Sequence, residues 1–211
     1  MPLEIVTFQL GPMQNNSYLV ADPKTNAAVV IDPSFGAEAM LAEAQRRNWT
    51  LQAIWLTHAH FDHIAGIDRL VEGLGAQNLP VGLHPDDEPL LHQGGGGKAF
   101  GVNISTAAKP SIFFTDGQVL SIGSQTVEVH HTPGHTPGHV VFYAAQDQVV
   151  FCGDLIFYHG VGRTDLPGGD SAELLESIHN TILTLPPATR LLSGHGPETQ
   201  VAEERQFNPF L

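Results

Sequence analysis

The sequence predicts an α/β fold in which two β-sheets pack face to face with helices outside, and three observations lead there. Strand-length apolar runs bounded by Gly, Pro or Asp occur in both halves of the chain. Segments with apolar residues every three or four positions are interspersed with them in each half. Four of the strand-like runs end in small-residue turns that deliver a His or an Asp, so one rim of the sheets collects ligand-type side chains.

Taken in order, Leu3 to Leu10, Tyr18 to Ala21 and Ala27 to Ile31 read as strands separated by Gly11-Pro12 and Asp22-Pro23 turns. Glu38 to Asn48 reads as a helix with Met40, Leu41 and Ala44 on one side, and Leu51 to Leu56 is an apolar run of strand length. Ile64, Ile67, Val71 and Leu74 recur at helical spacing and predict an amphipathic helix. Gly94 to Gly97 opens a polar stretch running to about Lys109 that reads as a flexible surface loop. It is no phosphate loop, because His92 stands where the first Gly of that motif belongs. From Ser111 the pattern is β-rich, with Ile112 to Phe114, Val119 to Ile122, Val127 to His131, Val140 to Ala144 and Gln148 to Cys152 as strands. Asp170, with Glu173 three residues on, predicts the N-cap of a helix carrying Leu174, Leu175, Ile178 and Ile182. Arg190 to Leu192 is a last strand before Gly194-His195-Gly196.

Composition removes several function classes. The 211 residues suit one domain, 1–211, and 42% hydrophobic against 15% charged residues is too apolar for disorder. A net charge of −13 argues against nucleic acid and against an anionic membrane surface. The lone Cys152 excludes an internal disulfide and a Cys-rich zinc site, and its apolar surroundings make it a core thiol rather than a nucleophile. Gly-x-Ser-x-Gly is absent. Met1 to Leu10 lacks a basic and apolar leader, and no apolar run reaches about 18 residues, so a cytoplasmic location is expected. Twelve histidines exceed the nine lysines and arginines, which directs attention to metal ligation.

The dense segment is Thr57-His58-Ala59-His60-Phe61-Asp62-His63. In an extended or turning loop His58 and His60 share a side and can pinch one metal, while Asp62 and His63 turn away and can begin a second site. Imidazole and carboxylate together suit zinc, with iron and manganese as alternatives. More ligands are needed than this loop supplies. His135 after the Val127 to Val129 run, Asp154 after Val149 to Cys152, and His195 after Arg190 to Leu192 occupy equivalent strand ends. If they converge, five histidines and two aspartates suffice for two metals sharing Asp154.

His58-x-His60-x-Asp62-His63, His135 in Thr-Pro-Gly-His-Thr-Pro-Gly-His, Gly153-Asp154 and Gly194-His195-Gly196 resemble the metallo-β-lactamase superfamily in order and spacing. The resemblance implies a four-layer αββα sandwich with metals at one edge. It implies a first metal on His58, His60 and His135, a second on Asp62, His63 and His195, and a bridging Asp154. The repeated Thr-Pro-Gly-His, Gly194-His195-Gly196-Pro197 and Asn208-Pro209-Phe210 resemble glyoxalase II (hydroxyacylglutathione hydrolase) and its compact bacterial relatives, which hydrolyse thioesters such as S-lactoylglutathione. Aspartate at 154 is unlike the Cys or Ser expected of zinc β-lactamases. The family's basic substrate contact aligns with Arg163, although the tyrosine expected two positions later is Asp165. The helical C-terminal domain of full-length glyoxalase II has no counterpart before Leu211.

The expectation is therefore a dinuclear hydrolase of a small thioester, glutathione-linked or otherwise, acting as a monomer or homodimer. Two divalent metals, zinc foremost, bring a shared water to ionisation near neutral pH as the nucleophile, and Asp62 orients it. Arg163 is a candidate substrate contact, as are Tyr158 and His159 in the loop after Asp154. His139 reads either as a strand cap or as a support for a ligand. Asp32 reads either as a turn residue or as a hydrogen-bonding support for the ligand loop. Gly162-Arg163-Thr164-Asp165 also resembles the persulfide dioxygenases, which use one iron, and a lactonase or a scaffold that kept the fold complete the alternatives.

Overall fold

The computed structural model describes residues 1–75, 79–104 and 109–211, and among them two six-stranded mixed sheets carry the chain. The first sheet takes β1 (Glu4–Leu10), β2 (Asn15–Ala21), β3 (Ala27–Ile31), β4 (Thr50–Trp55), β5 (Val81–Leu83) and β6 (Ile112–Phe113) in that spatial order. Its first three strands pair antiparallel and its last four parallel. Then come β7 (Val119–Ile122), β8 (Gln125–His131), β9 (Val140–Ala144), β10 (Val149–Gly153), a short hairpin of β11 (Ile156–Phe157) and β12 (Gly160–Val161), β13 (Arg190–Ser193) and β14 (Thr199–Gln200). Apart from the hairpin, these form the second sheet in the order β14-β13-β10-β9-β8-β7, with β13 parallel to β10.

Apolar patterning explains the layering. β3 reads Ala-Ala-Val-Val-Ile and is buried on both faces, which is what a near-continuous apolar run predicts. Ala28 and Val30 pack with Met40 and Leu41 of α1 (Glu38–Arg46), while Val29 and Ile31 meet Phe142 and Phe151 of the opposite sheet. Val141, Val150 and Leu191, on the other side of the second sheet, pack against Leu174 and Ile178. The result is the expected helix–sheet–sheet–helix sandwich. The other α-helices among the described residues are α2 (Phe61–Ile64), α3 (Ile67–Gly73), α4 (Glu88–His92), α5 (Ser171–Asn180) and α6 (Val201–Phe207). None of the described helices is long and apolar enough to cross a membrane. Cys152 is fully buried, and burial pushes its thiol above the ordinary range, in keeping with a core role.

Three features differ from the sequence reading. The helix read through Ile64 and Leu74 is broken at Ala65–Gly66, where the Gly66 N–H donates to Pro33 O at 2.9 Å. Asp170 caps α5 as expected, accepting from the N–H groups of Ala172 (2.8 Å) and Glu173 (3.1 Å), but Ile182 lies beyond the helix in a 3-10 turn. Gly94, Gly95 and Gly97 are buried, so this stretch is no free surface loop. Gly95 lies against the histidine-rich segment, its carbonyl accepting the Phe61 N–H at 3.0 Å. The part of that reading on residues 105–108 lies outside the described residues.

Candidate metal centre

The rim where the sheets meet carries every candidate ligand. His58 and His60 follow β4, and Asp62 and His63 lie on α2 just beyond. His135 follows β8, Asp154 follows β10 and His195 follows β13. Parallel pairing of β10 with β13 puts two of these strand ends side by side, with the Gly194 N–H donating to Gly153 O at 2.7 Å. Gly194 is needed there, because a Cβ would stand 2.2 Å from Asp154 Oδ1.

His58, His60 and His135 form one trio and Asp62, His63 and His195 another, with the ligand atoms of each within 4.8 Å of one another. The hydrogen bonds around them assign which nitrogen faces inward. His135 Nδ1 donates to Arg163 O at 2.7 Å, leaving Nε2 as a bare lone pair. The Thr57 hydroxyl donates to Asp32 Oδ2 (2.6 Å), so its oxygen accepts from His58 Nδ1 (3.0 Å) and leaves His58 Nε2 bare. These two bare nitrogens are 3.2 Å apart, and His60 Nδ1 is 2.8 Å from His135 Nε2. His63 Nδ1 donates to Asp32 Oδ2 at 3.0 Å, and His195 Nδ1 to Met13 O at 3.2 Å, so their Nε2 atoms also face inward.

Asp154 lies between the trios. Its oxygens are 3.4 Å from His63 Nε2, 3.6 Å from His135 Nε2 and 3.6 Å from His195 Nε2. His63 Nε2 and Asp154 Oδ1 are buried without a hydrogen-bond partner. Converging lone pairs with orphaned buried acceptors are costly unless a cation lies among them, so this donor set fits divalent metal ions.

The electrostatics of the two trios differ. Burial, reinforced by neighbouring histidines, holds His58 well below its ordinary pKa and His60 at about 3, so both are neutral imidazoles ready to ligate. Burial likewise lowers His135 against the pull of Asp154. In the second trio burial opposes protonation of His63, but Asp154, Asp62 and Asp32 outweigh it and raise its pKa well above the usual value. His195 is raised too, because the hydrogen bond to Asp62 and the charge of Asp154 overcome burial. Burial works against ionised Asp154, yet His63 and its neighbours hold its pKa below the carboxylate range. The two carboxylates thus create a local demand for positive charge.

Supports complete the centre. Asp32 is the hydrogen-bonding support rather than a mere turn residue: besides His63 and the Thr57 hydroxyl, it accepts the Thr57 N–H at 2.7 Å. His139 Nε2 accepts the Asp154 N–H at 3.2 Å, with Nδ1 turned to Thr132 Oγ1 at 2.9 Å, so it fixes the candidate bridging residue through its backbone. Asp87 escaped the sequence reading. Buried in a 3-10 turn, it accepts from the Ala59 N–H (2.8 Å), the Thr136 hydroxyl (2.9 Å) and the Gly138 N–H (2.7 Å), joining two ligand-bearing loops. The only hint in the sequence, His84-Pro85-Asp86-Asp87, reads as an ordinary turn.

A cavity of about 470 Å³ opens onto the rim, touching His60, Asp62, His135, Asp154 and His195. Arg163 lines it and is held bidentately by Asp165 at 2.7 and 2.8 Å. Tyr158 and His159, expected to touch substrate, are not among its lining residues. They form the two-residue turn between β11 and β12, and it is Phe157, one residue earlier, that reaches the cavity. Tyr158 stacks on His159, whose Nε2 pairs with Glu203 at 2.8 Å. A further trio, His84, Asp86 and His131, is no comparable site: its imidazoles stack at 4.1 Å and 7°, so their in-plane lone pairs do not converge.

Over residues 10–195 the chain matches the description "Metallo-beta-lactamase superfamily". The chain belongs to the metallo-β-lactamase superfamily. Among superfamily members of known structure, it is 41% identical to the BLEG-1 B3 metallo-β-lactamase, with a TM-score of 0.91 and 99% of each chain covered. It is 43% identical to TTHA1623 in a di-iron-bound form, with a TM-score of 0.87, over 98% of this chain and 100% of that one. It is also 34% identical to hydroxyacylglutathione hydrolase GloC of Haemophilus influenzae, over 100% of this chain and 98% of GloC. Superfamily membership and the two His/Asp trios make this a metal-dependent hydrolase by family.

Proposed function

We propose that the chain is a dinuclear metal-dependent thioester hydrolase of the glyoxalase II kind. His58, His60 and His135 would hold one cation and Asp62, His63 and His195 the other, with Asp154 placed between the two trios. The observation that carries the reading is the placement of Asp154 within 3.6 Å of ligand nitrogens from both trios, at the mouth of a cavity. Supporting the thioester is the likeness along the whole chain to hydroxyacylglutathione hydrolase GloC. Zinc suits the donor set best, with iron or manganese as alternatives; the di-iron-bound relative keeps iron in view.

Two divalent cations, when bound, supply Lewis-acid polarisation of a carbonyl oxygen and activation of water near neutral pH. The chain's residues do the rest. Asp62 Oδ2, 3.2 Å from His195 Nε2, is the carboxylate that orients the attacking water. Arg163 at the cavity edge takes a carboxylate of the thiol carrier in exchange for Asp165. The apolar cavity wall excludes bulk water. The partner is a small-molecule thioester, glutathione-linked or related, met in the cytoplasm by a monomer or homodimer.

A second reading, β-lactam hydrolysis, has the likeness to BLEG-1 in its favour and the aspartate at 154 against it. The experiment is a panel of thioesters, lactones, phosphodiesters and β-lactams on protein of measured metal content, with oxygen uptake on glutathione persulfide alongside. The expected result is thioester turnover that disappears on chelation and returns with added metal. Turnover confined to a phosphodiester or a β-lactam, or full activity without metal, overturns the reading.

A further inference from the structure

The walls of the cavity differ in character from its rim. Away from the His and Asp side chains its lining is mostly apolar, with Gln93 and Arg163 the polar side chains and Met13, Phe61, Leu90, Phe100, Phe157 and Leu166 the largest apolar ones. These come from six separate stretches, so the apolar character is built by the fold and not by one greasy segment. Phe61 and Phe100 meet at 5.3 Å, and Phe100 is 44% exposed, an aromatic that the described residues leave partly bare. Arg163 is the one Lys or Arg among the described lining residues, half-exposed, with its guanidinium 6.0 Å from the Phe100 ring.

The two arms of a biological thioester differ in charge. Thiol carriers bear carboxylates or phosphates, which belong near Arg163 and solvent; the acyl arm need carry none. A lactoyl arm is small and hydroxylated, and would leave most of this wall uncovered. Apolar surface left uncovered gains nothing, whereas each methylene buried against it strengthens binding several-fold. We propose that the cavity receives an apolar acyl arm, so that the preferred substrates are thioesters of medium-chain or aryl carboxylic acids rather than of lactate. This rests on the thioester reading above and adds the acyl class to it.

The test has two arms, both on metal-loaded protein. In the first, kcat/KM is measured for acetyl, lactoyl, butyryl, hexanoyl and octanoyl thioesters of one thiol. It should climb about two- to fourfold per methylene, with lactoyl near the bottom. In the second, calorimetry measures binding of the product carboxylates, and octanoate should bind far more tightly than lactate. Phe100→Ala, at a half-exposed position, should shrink the octanoyl-to-acetyl ratio at least fivefold. Thioester turnover that is flat with chain length, or highest for lactoyl, sinks the apolar arm and spares the thioester chemistry. Chain-length-dependent carboxylate binding without thioester turnover does the reverse.

Discussion

Asp32 Oδ2 accepts a hydrogen bond from His63 Nδ1 at 3.0 Å, and through it the end of β3 orients a side chain carried by α2. The same oxygen takes the Thr57 hydroxyl, whose own oxygen turns His58. One carboxylate therefore sets a ring in each trio. Asp32→Asn loses an acceptor and turns an amide N–H toward donors. Supports of this kind are worth about 10–100-fold in metal affinity, and competition with a chelator should read a loss of that size. Unchanged affinity would reduce Asp32 to a turn residue.

Asp87 does for loops what Asp32 does for rings. Its three donors come from residues 59, 136 and 138, flanking His60 and His135, and burial raises its pKa against those hydrogen bonds. Asp87→Ala strands buried N–H groups at about 1–3 kcal/mol apiece. We expect a lower urea midpoint and, in whatever protein stays folded, weakened metal binding at the His58–His60–His135 trio. A variant that loses stability but binds both metals as before would separate folding from the centre.

What the sequence could disclose follows from where information is local. The candidate ligands were legible because four of them crowd into His58 to His63, and the others sit one small turn beyond apolar strands. The sandwich was legible because β3, β10 and the second half of β2 are apolar runs, while three-residue β5 and two-residue β11 and β12 are too short to carry a period. Tyr158 and His159 fall outside the cavity lining, with His159 paired to Glu203 of α6, and side chains in a two-residue turn can face either way, which the sequence does not disclose. Asp87 and the cavity wall were illegible because their meaning is their partners, residues such as Gly138 and Met13 far off along the chain.

Asp154 lies between the two trios, 3.4–3.6 Å from nitrogens of both, so on the proposed reading its loss should be felt twice. Asp154→Ala is expected to reduce bound metal below two per chain by mass spectrometry under native conditions, and to lower hydrolysis at least about a hundredfold. His195→Ala removes a ligand from one trio alone and should leave metal on the other. Equal metal loss in the two variants would mean that Asp154 does not join the sites.

Gly95 and Gly96 are left-handed neighbours with opposite surroundings. At Gly95, φ is +64° and a Cβ would sit 2.3 Å from Phe61 N and 2.7 Å from Ala59 O, inside the loop that carries His60. At Gly96, φ is +73° with open space around it. Gly96→Ala should cost about 1–2 kcal/mol of backbone strain and keep its metal. Gly95→Ala must also push the His60 loop aside, and should be both less stable and depleted in metal. Equal melting temperatures for the two would contradict the close contact.

Asp22 supplies a pH dependence that involves no candidate ligand. Just after β2, it accepts the Ser124 N–H and hydroxyl at 2.8 Å each, the Thr25 hydroxyl at 2.9 Å and the Lys24 N–H at 2.9 Å, tying the β2–β3 turn of one sheet to the β7–β8 turn of the other. The Ser124 N–H is the largest influence, and together these donors hold the carboxyl below its ordinary range despite burial. A folded pKa below the unfolded value of about 3.9 means stability that is fully present above that pH and is lost progressively below it, as the pH falls toward and through the folded pKa. Asp22→Asn should therefore cost about 1–3 kcal/mol at neutral pH, with the gap to the parent closing below about pH 4. Urea midpoints at pH 7, 5 and 3, taken with a chelator present so that metal release plays no part, measure it. Parallel curves for parent and variant down to pH 3 would show that the Ser124 hydrogen bonds do not depend on the charge of Asp22.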